Sequence, residues 1–442
     1  MAEFNISRAS TPPSEMGIWD GSGFRLRADT DSALFALKLL WRYGTSPLRL
    51  RGALKETVAN LTAVYALQAA GAAFADPVQL FRALGIYDST QVTAAVDLAR
   101  LGVSEAFTQE FVDGASRCNY LQSSAELNAF VNLVSLAGAA VEGTVFRVEG
   151  GTQNLTRQVL GAARARLRTG IEVVSIKRGP GGGYELATRA TAAAAAEKAD
   201  AHDSDETVSA RSRRAAAVAY ETFDGVVIAA PLEASELQIE LDGVKPVPRK
   251  RRYVQTHATF VEAASLSAST FGADAARIVG EVLTVNNDSL QFVSIGLTAL
   301  LPAAPSHVAA DRGGCAAETT GEMCSTARWW RPARAHACDR LACARAAGMR
   351  GIWKVFFKQP LSDEALEQLF DGLAHTATRR VVWDAPGAYP SLGPTEEWPP
   401  FHLVSGLAYA GAMESPVSCM ETQAIAGRNA ATLISQSLPP AL

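Results

Sequence analysis

The residues with the clearest chemical potential lie near the C-terminus, in a predicted strand, turn and helix. An apolar strand at 407–410 leads into the run Gly-Ala-Met-Glu at 411–414. After a turn that contains a proline, Ser418 and Glu421 have the Ser-x-x-Glu spacing of a capping box, which predicts that a helix begins here. Because the first N–H groups of a helix attract negative charge, this spacing predicts a binding site for an anionic group.

The predicted helix has one face made mostly of small residues, namely Met420, Ala424, Gly427 and Ala431. A face of this kind lets a helix approach a sheet or a flat ring closely. A reduced flavin ring is flat and carries negative charge along one edge, so it is a candidate ligand. An ordinary strand, turn and helix in an α/β core explains the same pattern equally well.

The usual anchor for a dinucleotide is a Gly-x-Gly-x-x-Gly loop between a strand and a helix. The sequence contains no such loop. The glycine-rich run at 179–183 is followed by Tyr184-Glu-Leu, which has the pattern of a strand. We therefore predict that this run is a hairpin turn.

The cysteines and histidines do not predict a metal site or a hydrolytic triad. Four cysteines crowd into one stretch with a histidine, at Cys315, Cys324, His336, Cys338 and Cys343. Zinc sites favour cysteine pairs separated by about two to four residues, and the Cys338–Cys343 spacing lies at the loose limit. A disordered insert, or translated noncoding sequence, is the preferred interpretation. The other cysteines are predicted to be small buried hydrophobes.

Composition limits the function classes. The chain has 442 residues, 48% of them hydrophobic, and a formal charge of −4, which gives no reason to expect a nucleic-acid partner. No apolar run reaches the ~20 residues of a membrane-spanning helix. The N-terminus does not resemble a signal peptide, which taken literally predicts a cytoplasmic protein. Four Asn-x-Ser/Thr sequons, at Asn5, Asn60, Asn154 and Asn287, weakly oppose that prediction.

The first part of the chain is predicted to be a hairpin followed by helices. A tail and hairpin occupy 1–30, with the hairpin at 16–28. Helical periodicity then dominates 31–137, a helical layer. Within it the helices are predicted at 52–70, 76–84, 90–101, 104–113 and 124–136.

The remainder has the pattern of a mixed α/β fold, in three parts. The part at 148–235 contains a helix at 154–168, strands at 171–177 and 184–188, a buried apolar run at 226–230, and a disordered insert at 190–217. The part at 251–400 contains strands at 253–262, 289–297, 351–358 and 379–384, a helix at 361–372, and an atypical insert at 302–350. The last part, 401–436, is the C-terminal strand and helix.

The run Arg-Cys-Asn-Tyr-Leu-Gln at 117–122 is unusually polar for a position after a predicted helix end. Two interpretations remain open. The run is either a turn whose side chains are satisfied locally, or a wall of a cleft for a substrate or cofactor.

Several blocks together resemble the prenylcysteine oxidase (prenylcysteine lyase) family, flavoproteins of the amine-oxidase-like group. The blocks are Leu-Trp-Arg-Tyr-Gly at 40–44, Gly-Val-Ser-Glu-Ala-Phe at 102–107, the run at 117–122 with Asn-Ala-Phe-Val at 128–131, Val-Glu-Gly-Gly at 148–151, Trp-Lys-Val-Phe at 353–356, Met-Glu-Thr-Gln-Ala-Ile-Ala at 420–426 and Asn-Ala-Ala at 429–431. The similarity extends over most of the chain outside the two inserts.

The resemblance implies an FAD/NAD(P)-binding-like flavoprotein fold interleaved with a substrate domain. It also implies oxidation of the thioether carbon of a prenylated cysteine, with FAD as the cofactor and oxygen as the second substrate. The products would be a prenyl aldehyde, cysteine and hydrogen peroxide. An apolar pocket for the isoprenoid would be built by the helical layer and the strands at 251–300.

The resemblance also implies positions for the binding residues. Cofactor-binding positions would be Val174, Asp224, Pro231, Gly411, Ala412, Glu414, Cys419, Met420 and Glu421. Substrate-binding positions would be Arg117, Asn119, Tyr120 and Gln122. No catalytic base is predicted.

This sequence departs from the family pattern at two places. The N-terminal strand, Gly-rich loop and helix of the family are missing, so we expect this chain to bind FAD weakly or not at all. Ala412 stands where such flavoproteins often have an acid. The family implies a lysosomal or secreted protein. A flavin-free remnant with an apolar binding surface, and a flavin oxidoreductase with another apolar substrate, remain alternatives. The oligomeric state is not predicted.

Overall fold

The computed structural model describes residues 6–9, 15–29, 33–140, 147–191, 218–244, 251–301, 348–383, 387–395 and 397–439. These residues form a mixed α/β structure, as predicted. The chain divides into two compact units. The first unit is Met1–Ser10, Thr45–Thr256 and Trp383–Leu442, and the second is Thr11–Gly44 and His257–Val382. Nearly all of both predicted inserts, with the clustered cysteines, lies outside the described residues.

Most helices of the described residues are short; four in the first unit and one in the second have eleven residues or more. They are α1 Ala33–Tyr43, α2 Ser46–Thr62, α3 Val64–Ala69, α4 Pro77–Ala83, α5 Ala94–Arg100, α6 Glu105–Phe107, α7 Asp113–Tyr120, α8 Ala129–Ala140, α9 Thr152–Ala162, α10 Ala268–Phe271, α11 Ala273–Ile278, α12 Asp363–Leu369 and α13 Met420–Ser437. A π-helical turn, Thr108–Val112, joins α6 to α7.

The strands are distributed over both units. They are β1 Arg8–Ala9, β2 Glu15–Trp19, β3 Phe24–Asp29, β4 Arg147–Val148, β5 Ile171–Arg178, β6 Tyr184–Ala190, β7 Ala219–Phe223, β8 Val226–Ile228, β9 Gln238–Glu240, β10 Tyr253–Val254, β11 Thr256–Ala263, β12 Ser265–Leu266, β13 Val279–Thr284, β14 Ser294–Leu301, β15 Arg350–Phe357, β16 Phe370–Asp371, β17 Ala374–Trp383, β18 Tyr389–Pro390, β19 His402–Val404 and β20 Leu407–Tyr409.

The second unit is built on a seven-stranded sheet with the order β17-β11-β15-β14-β13-β2-β3. The predicted hairpin at 16–28 is confirmed as β2 and β3. Along β15 every second residue is buried, and Trp353, Val355 and Phe357 enter the core with Leu366 and Leu369 of α12. This alternation gives the sheet one face packed on a helix.

The first unit contains two sheets that share one core. In the four-stranded sheet the order is β7-β6-β5-β9, and in the three-stranded sheet it is β19-β20-β8. The predicted hairpin turn at 179–183 is confirmed, because β5 and β6 pair with Arg178 opposite Tyr184. Ile176, Tyr184 and Tyr409 from these sheets pack with Ile425 of α13 in a single buried cluster.

Several predicted boundaries are wrong. The helix predicted at 154–168 ends at Ala162, and Arg164 beyond it has a positive φ of 52°. The helix predicted at 104–113 extends beyond that range, through the π-helical turn and α7 to Tyr120. It ends at Leu121, whose φ of 56° is left-handed and stops the helix. The run at 117–122 therefore begins inside a helix and not after one.

Three further strand and helix predictions need correction. The strand predicted at 289–297 is β14, which begins at Ser294. The helix predicted at 361–372 is the shorter α12, capped by Ser362 as expected. The run at 226–230, predicted to be buried, is a short strand whose Val227 is 43% exposed. Among the described residues no helix is both long and apolar enough to span a membrane.

Candidate functional site

Two parallel strands bring separate parts of the chain to one edge of the three-stranded sheet. β20 pairs in parallel with β8, so that residues 407–409 lie opposite 226–228. Pro231 follows β8 and Gly411 follows β20 at the carboxyl ends of these strands. This edge, called here the carboxyl edge, is the position where α/β proteins bind ligands.

Gly411 lies against the ring of Tyr409 at the carboxyl edge. A Cβ atom at residue 411 would stand 2.5 Å from Cε2 and 2.9 Å from Oη of Tyr409. The Tyr409 hydroxyl accepts a hydrogen bond from the Leu232 backbone N–H at 3.2 Å and donates one to Glu233 at 3.3 Å. The tight turn at 410–414 therefore requires glycine at this position for reasons of space.

A buried group of charges lies beside this turn. Arg251 forms an ion pair with Glu233, and the Tyr253 hydroxyl donates to the same carboxylate at 3.4 Å. Burial alone would raise the pKa of Glu233, but a backbone hydrogen bond and the Arg251 guanidinium outweigh it and hold that pKa below its ordinary value. Burial raises the pKa of Glu414, which lies near the same charges.

The N-terminus of α13 differs from the sequence prediction. The helix begins at Met420, its N-cap is Cys419, and the Cys419 side chain makes no capping hydrogen bond. The capping-box prediction is wrong, because the cap lies one residue after Ser418 and Glu421 is then the second helical residue. The Glu421 carboxylate instead accepts a hydrogen bond from the Tyr65 hydroxyl.

A cavity of about 850 Å³ lies between α7, α8, α9 and the N-terminus of α13. One part of its lining is apolar, from Val134, Leu155, Val159, Leu160, Met420 and Ala424. The other part is polar and uncharged, from Asn119, Tyr120, Ser135, Thr156, Tyr389, Ser418, Cys419 and Gln423. Such a lining suits a ligand with a long apolar portion and a few groups that form hydrogen bonds.

Two of the four predicted substrate residues line this cavity. Asn119 donates to the backbone oxygen and to the hydroxyl of Ser135, both at 3.0 Å. Tyr120 is buried and its hydroxyl donates to the Ser418 backbone oxygen at 3.0 Å, which ties α7 to the turn before α13. Burial raises the pKa of Tyr120, so its hydroxyl keeps its proton.

The other two predicted substrate residues have internal positions. Arg117 is buried in α7. Gln122 donates to the Pro390 backbone oxygen at 3.2 Å and accepts from the Leu392 N–H at 2.9 Å, so both ends of its amide are used within the protein. Asn119 and Tyr120 therefore lie in a cavity wall, whereas Gln122 is satisfied within the protein and Arg117 is buried in a helix.

The predicted cofactor residues fall into one group and two outliers. Pro231, Gly411, Ala412 and Glu414 belong to the carboxyl edge, and Cys419, Met420 and Glu421 begin the helix that follows. Asp224 is exposed and lies before β8, at the opposite end of that strand. Val174 lies in β5, in the other sheet.

Val174 occupies an irregular position in its strand. The pairing of β5 with β6 passes from Val173 to Ser175 and omits Val174, and the pairing of β5 with β9 begins at Ser175. A residue at such a bulge stands outside the ladder of backbone hydrogen bonds. The sequence contains no signal for this bulge.

Sequence reasoning missed Gln423 and Arg251. The Nε2 atom of Gln423 is buried and has no hydrogen-bond partner among the described residues, although the residue lines the cavity. Nε and Nη1 of Arg251 are also buried without a partner in the described part of the chain. Gln423 lies within the family-like block at 420–426, which was the available signal.

The comparisons with known proteins agree with the resemblance found in the sequence. The sequence model for prenylcysteine lyase matches residues 27–311 and 335–440. The chain belongs to the prenylcysteine lyase family. It is 25% identical to mouse prenylcysteine oxidase 1 and 26% identical to farnesylcysteine lyase of Arabidopsis thaliana. Each alignment covers 98% of this chain, and 74% and 73% of the relative, respectively.

Solved structures of other proteins also resemble this chain. A putrescine oxidase double mutant matches with a TM-score of 0.49 and 12% identity, over 98% of this chain and 84% of that one. This likeness is too distant to carry an argument by itself.

The described residues partly fit the flavin cofactor that the family implies. The ring end would meet the N-terminus of α13 and the free donor of Gln423. Arg251, whose buried Nε and Nη1 atoms have no partner among the described residues, would hold an anionic group such as a phosphate. Val174 is omitted from the strand pairing of β5 with β6.

Proposed function

We propose that this protein is an FAD-dependent oxidoreductase that oxidises the thioether carbon of a prenylated cysteine. The observation that carries the proposal is the cavity against the N-terminus of α13, which combines an apolar wall with uncharged hydrogen-bonding groups. Membership of the prenylcysteine lyase family supports the same conclusion, because relatives over most of the chain are named for prenylcysteine or farnesylcysteine.

The chain's own residues would bind and orient the substrate. The apolar wall on α9, with Leu155, Val159 and Leu160, would cover the isoprenoid chain and exclude water from it. Asn119 and Tyr389 lie in the polar part of the lining, where they would contact the cysteine portion. Burial raises the pKa of Tyr389, so this residue would act there as a neutral donor.

The cofactor would supply the redox chemistry by accepting a hydride from the carbon bonded to sulfur. Water then adds to that carbon, and the carbon–sulfur bond breaks to release cysteine and a prenyl aldehyde. Oxygen, together with two protons, would take up the two electrons removed from the substrate and become hydrogen peroxide. The overall balance is one thioether, one oxygen and one water giving one aldehyde, one thiol and one peroxide.

The affinity for FAD determines how much cofactor an activity assay must contain. The sequence has no Gly-x-Gly-x-x-Gly loop, and such a loop normally provides the backbone N–H groups for a pyrophosphate. Assays should supply FAD in excess, since occupancy follows free ligand concentration. A lysosomal or secretory location is proposed from the family alone.

The test is peroxide production by the purified chain with added FAD. Visible absorbance after removal of free cofactor first shows whether flavin is retained. Farnesylcysteine should then yield peroxide, free thiol and aldehyde in equal amounts, and S-methylcysteine, which lacks the isoprenoid, should yield none. Flavin binding without turnover of farnesylcysteine would contradict the substrate, and failure to bind FAD at any concentration would contradict the enzyme class.

A further inference from the structure

We infer that Gln423 donates a hydrogen bond from Nε2 to the pyrimidine edge of the flavin ring and thereby stabilises the reduced cofactor. This inference rests on the proposed function for the presence of flavin, and it assigns a role to a residue outside the predicted site.

The first observation is the unsatisfied donor. Gln423 Nε2 is buried, lines the cavity, and has no acceptor among the residues that the structure describes. A buried amide without a partner costs about 1–3 kcal/mol. The cost disappears when a ligand in the cavity presents an acceptor to this atom.

The second observation is that no side chain caps the N-terminus of α13, which lies one turn before Gln423. The Gln423 backbone N–H bonds to the Cys419 oxygen at 3.1 Å, so the two residues lie on the same face of α13. The Cys419 side chain contacts the Thr422 hydroxyl at 3.2 Å and does not cap the helix. In contrast, Asp76 and Ser104 do cap their helices, accepting hydrogen bonds from Gln79 and Phe107. The first turn of α13 thus keeps backbone donors for a ligand.

The lining identifies the kind of acceptor. No Asp, Glu, Lys, Arg or His is among the described residues that line the cavity. The lining therefore offers neutral groups that form hydrogen bonds and no partner for an ion pair. The carbonyl and imine acceptors of a flat heteroaromatic ring are matched by an amide N–H and helix N–H groups. Ala424, also in the lining, is small enough for a ring to lie against the helix.

The direction of the effect follows from charge. Reduction of flavin places negative charge on the pyrimidine edge, and protein groups near that edge tune the cofactor. A hydrogen bond to a charged acceptor is about twice as strong as one to a neutral acceptor. The Gln423 donor should therefore stabilise the reduced form more than the oxidised form.

The test uses Gln423→Leu, with Gln436→Leu as the matched control. Gln436 lies on the same helix, is exposed, and bonds to the Gly71 oxygen away from the cavity. In the FAD-loaded protein, Gln423→Leu should bind reduced FAD about 5- to 30-fold more weakly, lower the reduction potential and alter the visible spectrum. Gln436→Leu should leave all three unchanged. In the FAD-free protein, Gln423→Leu should melt at the same or a higher temperature than the wild type.

Three results would overturn the inference. If Gln423→Leu retains the wild-type potential and reduced-FAD affinity while KM for farnesylcysteine rises, the acceptor belongs to the substrate. If the FAD-free variant melts far below the wild type and below the control, Nε2 forms a structural bond. If the wild type binds no FAD, the inference fails together with the proposed function. The first two results leave the proposed function intact.

Discussion

Replacing Gly411 with alanine tests the packing of the carboxyl edge. The added methyl group would stand 2.5 Å, 2.8 Å and 2.9 Å from Cε2, Cζ and Oη of Tyr409, and carbon atoms in contact normally lie about 3.5–4.0 Å apart. The backbone of Gly411 does not have a positive φ, so alanine can adopt its conformation. The expected cost is therefore steric and not conformational.

The magnitude can be built from two contributions. Accommodating a methyl group in a tightly packed interior costs about 1–3 kcal/mol. Tyr409 is fully buried, so the ring must rotate to make room. Its hydroxyl would then lose the contacts to Leu232 and Glu233, at about 1 kcal/mol for the backbone N–H that is left unsatisfied. Gly411→Ala should lower the free energy of unfolding by about 2–4 kcal/mol.

Urea unfolding monitored by tryptophan fluorescence and circular dichroism measures this change. Gly427→Ala in α13 is the matched control, since a Cβ atom there contacts nothing within 4 Å. The control should stabilise the protein by up to about 1 kcal/mol, because alanine favours helix more than glycine does. In a Tyr409→Leu background, Gly411→Ala should cost much less. A cost below about 0.5 kcal/mol in the wild-type background would refute the steric argument.

Three further predictions concern other described residues. Asn128→Ala should cost about 2–4 kcal/mol in urea unfolding, since this buried amide bonds to three backbone groups. Asn154→Ala should cost little, because Asn154 is only half-buried and its one backbone hydrogen bond, to the Glu149 oxygen, is exposed to solvent; equal costs would contradict the burial argument. Burial raises the pKa of Glu414 in the folded protein, so its contribution to stability is present below the ordinary carboxyl pKa and is lost as pH rises from there through the raised pKa of the folded protein. Glu414→Gln should therefore stabilise the protein at neutral pH and have no effect in acid, which unfolding curves at both pH values would check. Val159 lines the cavity and is 41% exposed, so Val159→Phe should narrow the cavity and raise KM for farnesylcysteine about tenfold. The control is Val96→Phe, at a 46% exposed position away from the cavity, which should leave KM unchanged. An unchanged KM for Val159→Phe would place the substrate outside the cavity.

The parts of the fold that were predictable are those with a strong local signal. The hairpin at 16–28 follows from alternation around a turn, and the turn at 179–183 was recognised because a strand pattern follows it. Ser104 and Ser362 cap helices by accepting hydrogen bonds from the backbone N–H groups of Phe107 and Ala365, three residues further along the chain. These features depend on residues close in sequence.

The parts that were not predictable depend on contacts between distant residues. The capping-box spacing is present at Ser418, but the Tyr65 hydroxyl takes the Glu421 carboxylate and the helix begins one residue later. The continuation of α7 to Tyr120 depends on buried packing that overrides the glycine at 114. The bulge at Val174 and the unsatisfied donor of Gln423 are properties of the assembled structure, and no spacing reports them.

The left-handed residue Leu121 has a consequence for how the cavity receives a ligand. A non-glycine residue in this region costs about 1–2 kcal/mol, and Leu121 is buried there with its N–H bonded to the Arg117 oxygen at 2.9 Å. On one side of it Tyr120 holds the turn before α13, and on the other Gln122 holds Leu392. Moving this wall of the cavity would break the hydrogen bonds of Tyr120 and Gln122, on both sides of Leu121, whose backbone has little conformational freedom. The wall is therefore preorganised, and discrimination between isoprenoids of different length should appear in dissociation rates and not in a slow closing step.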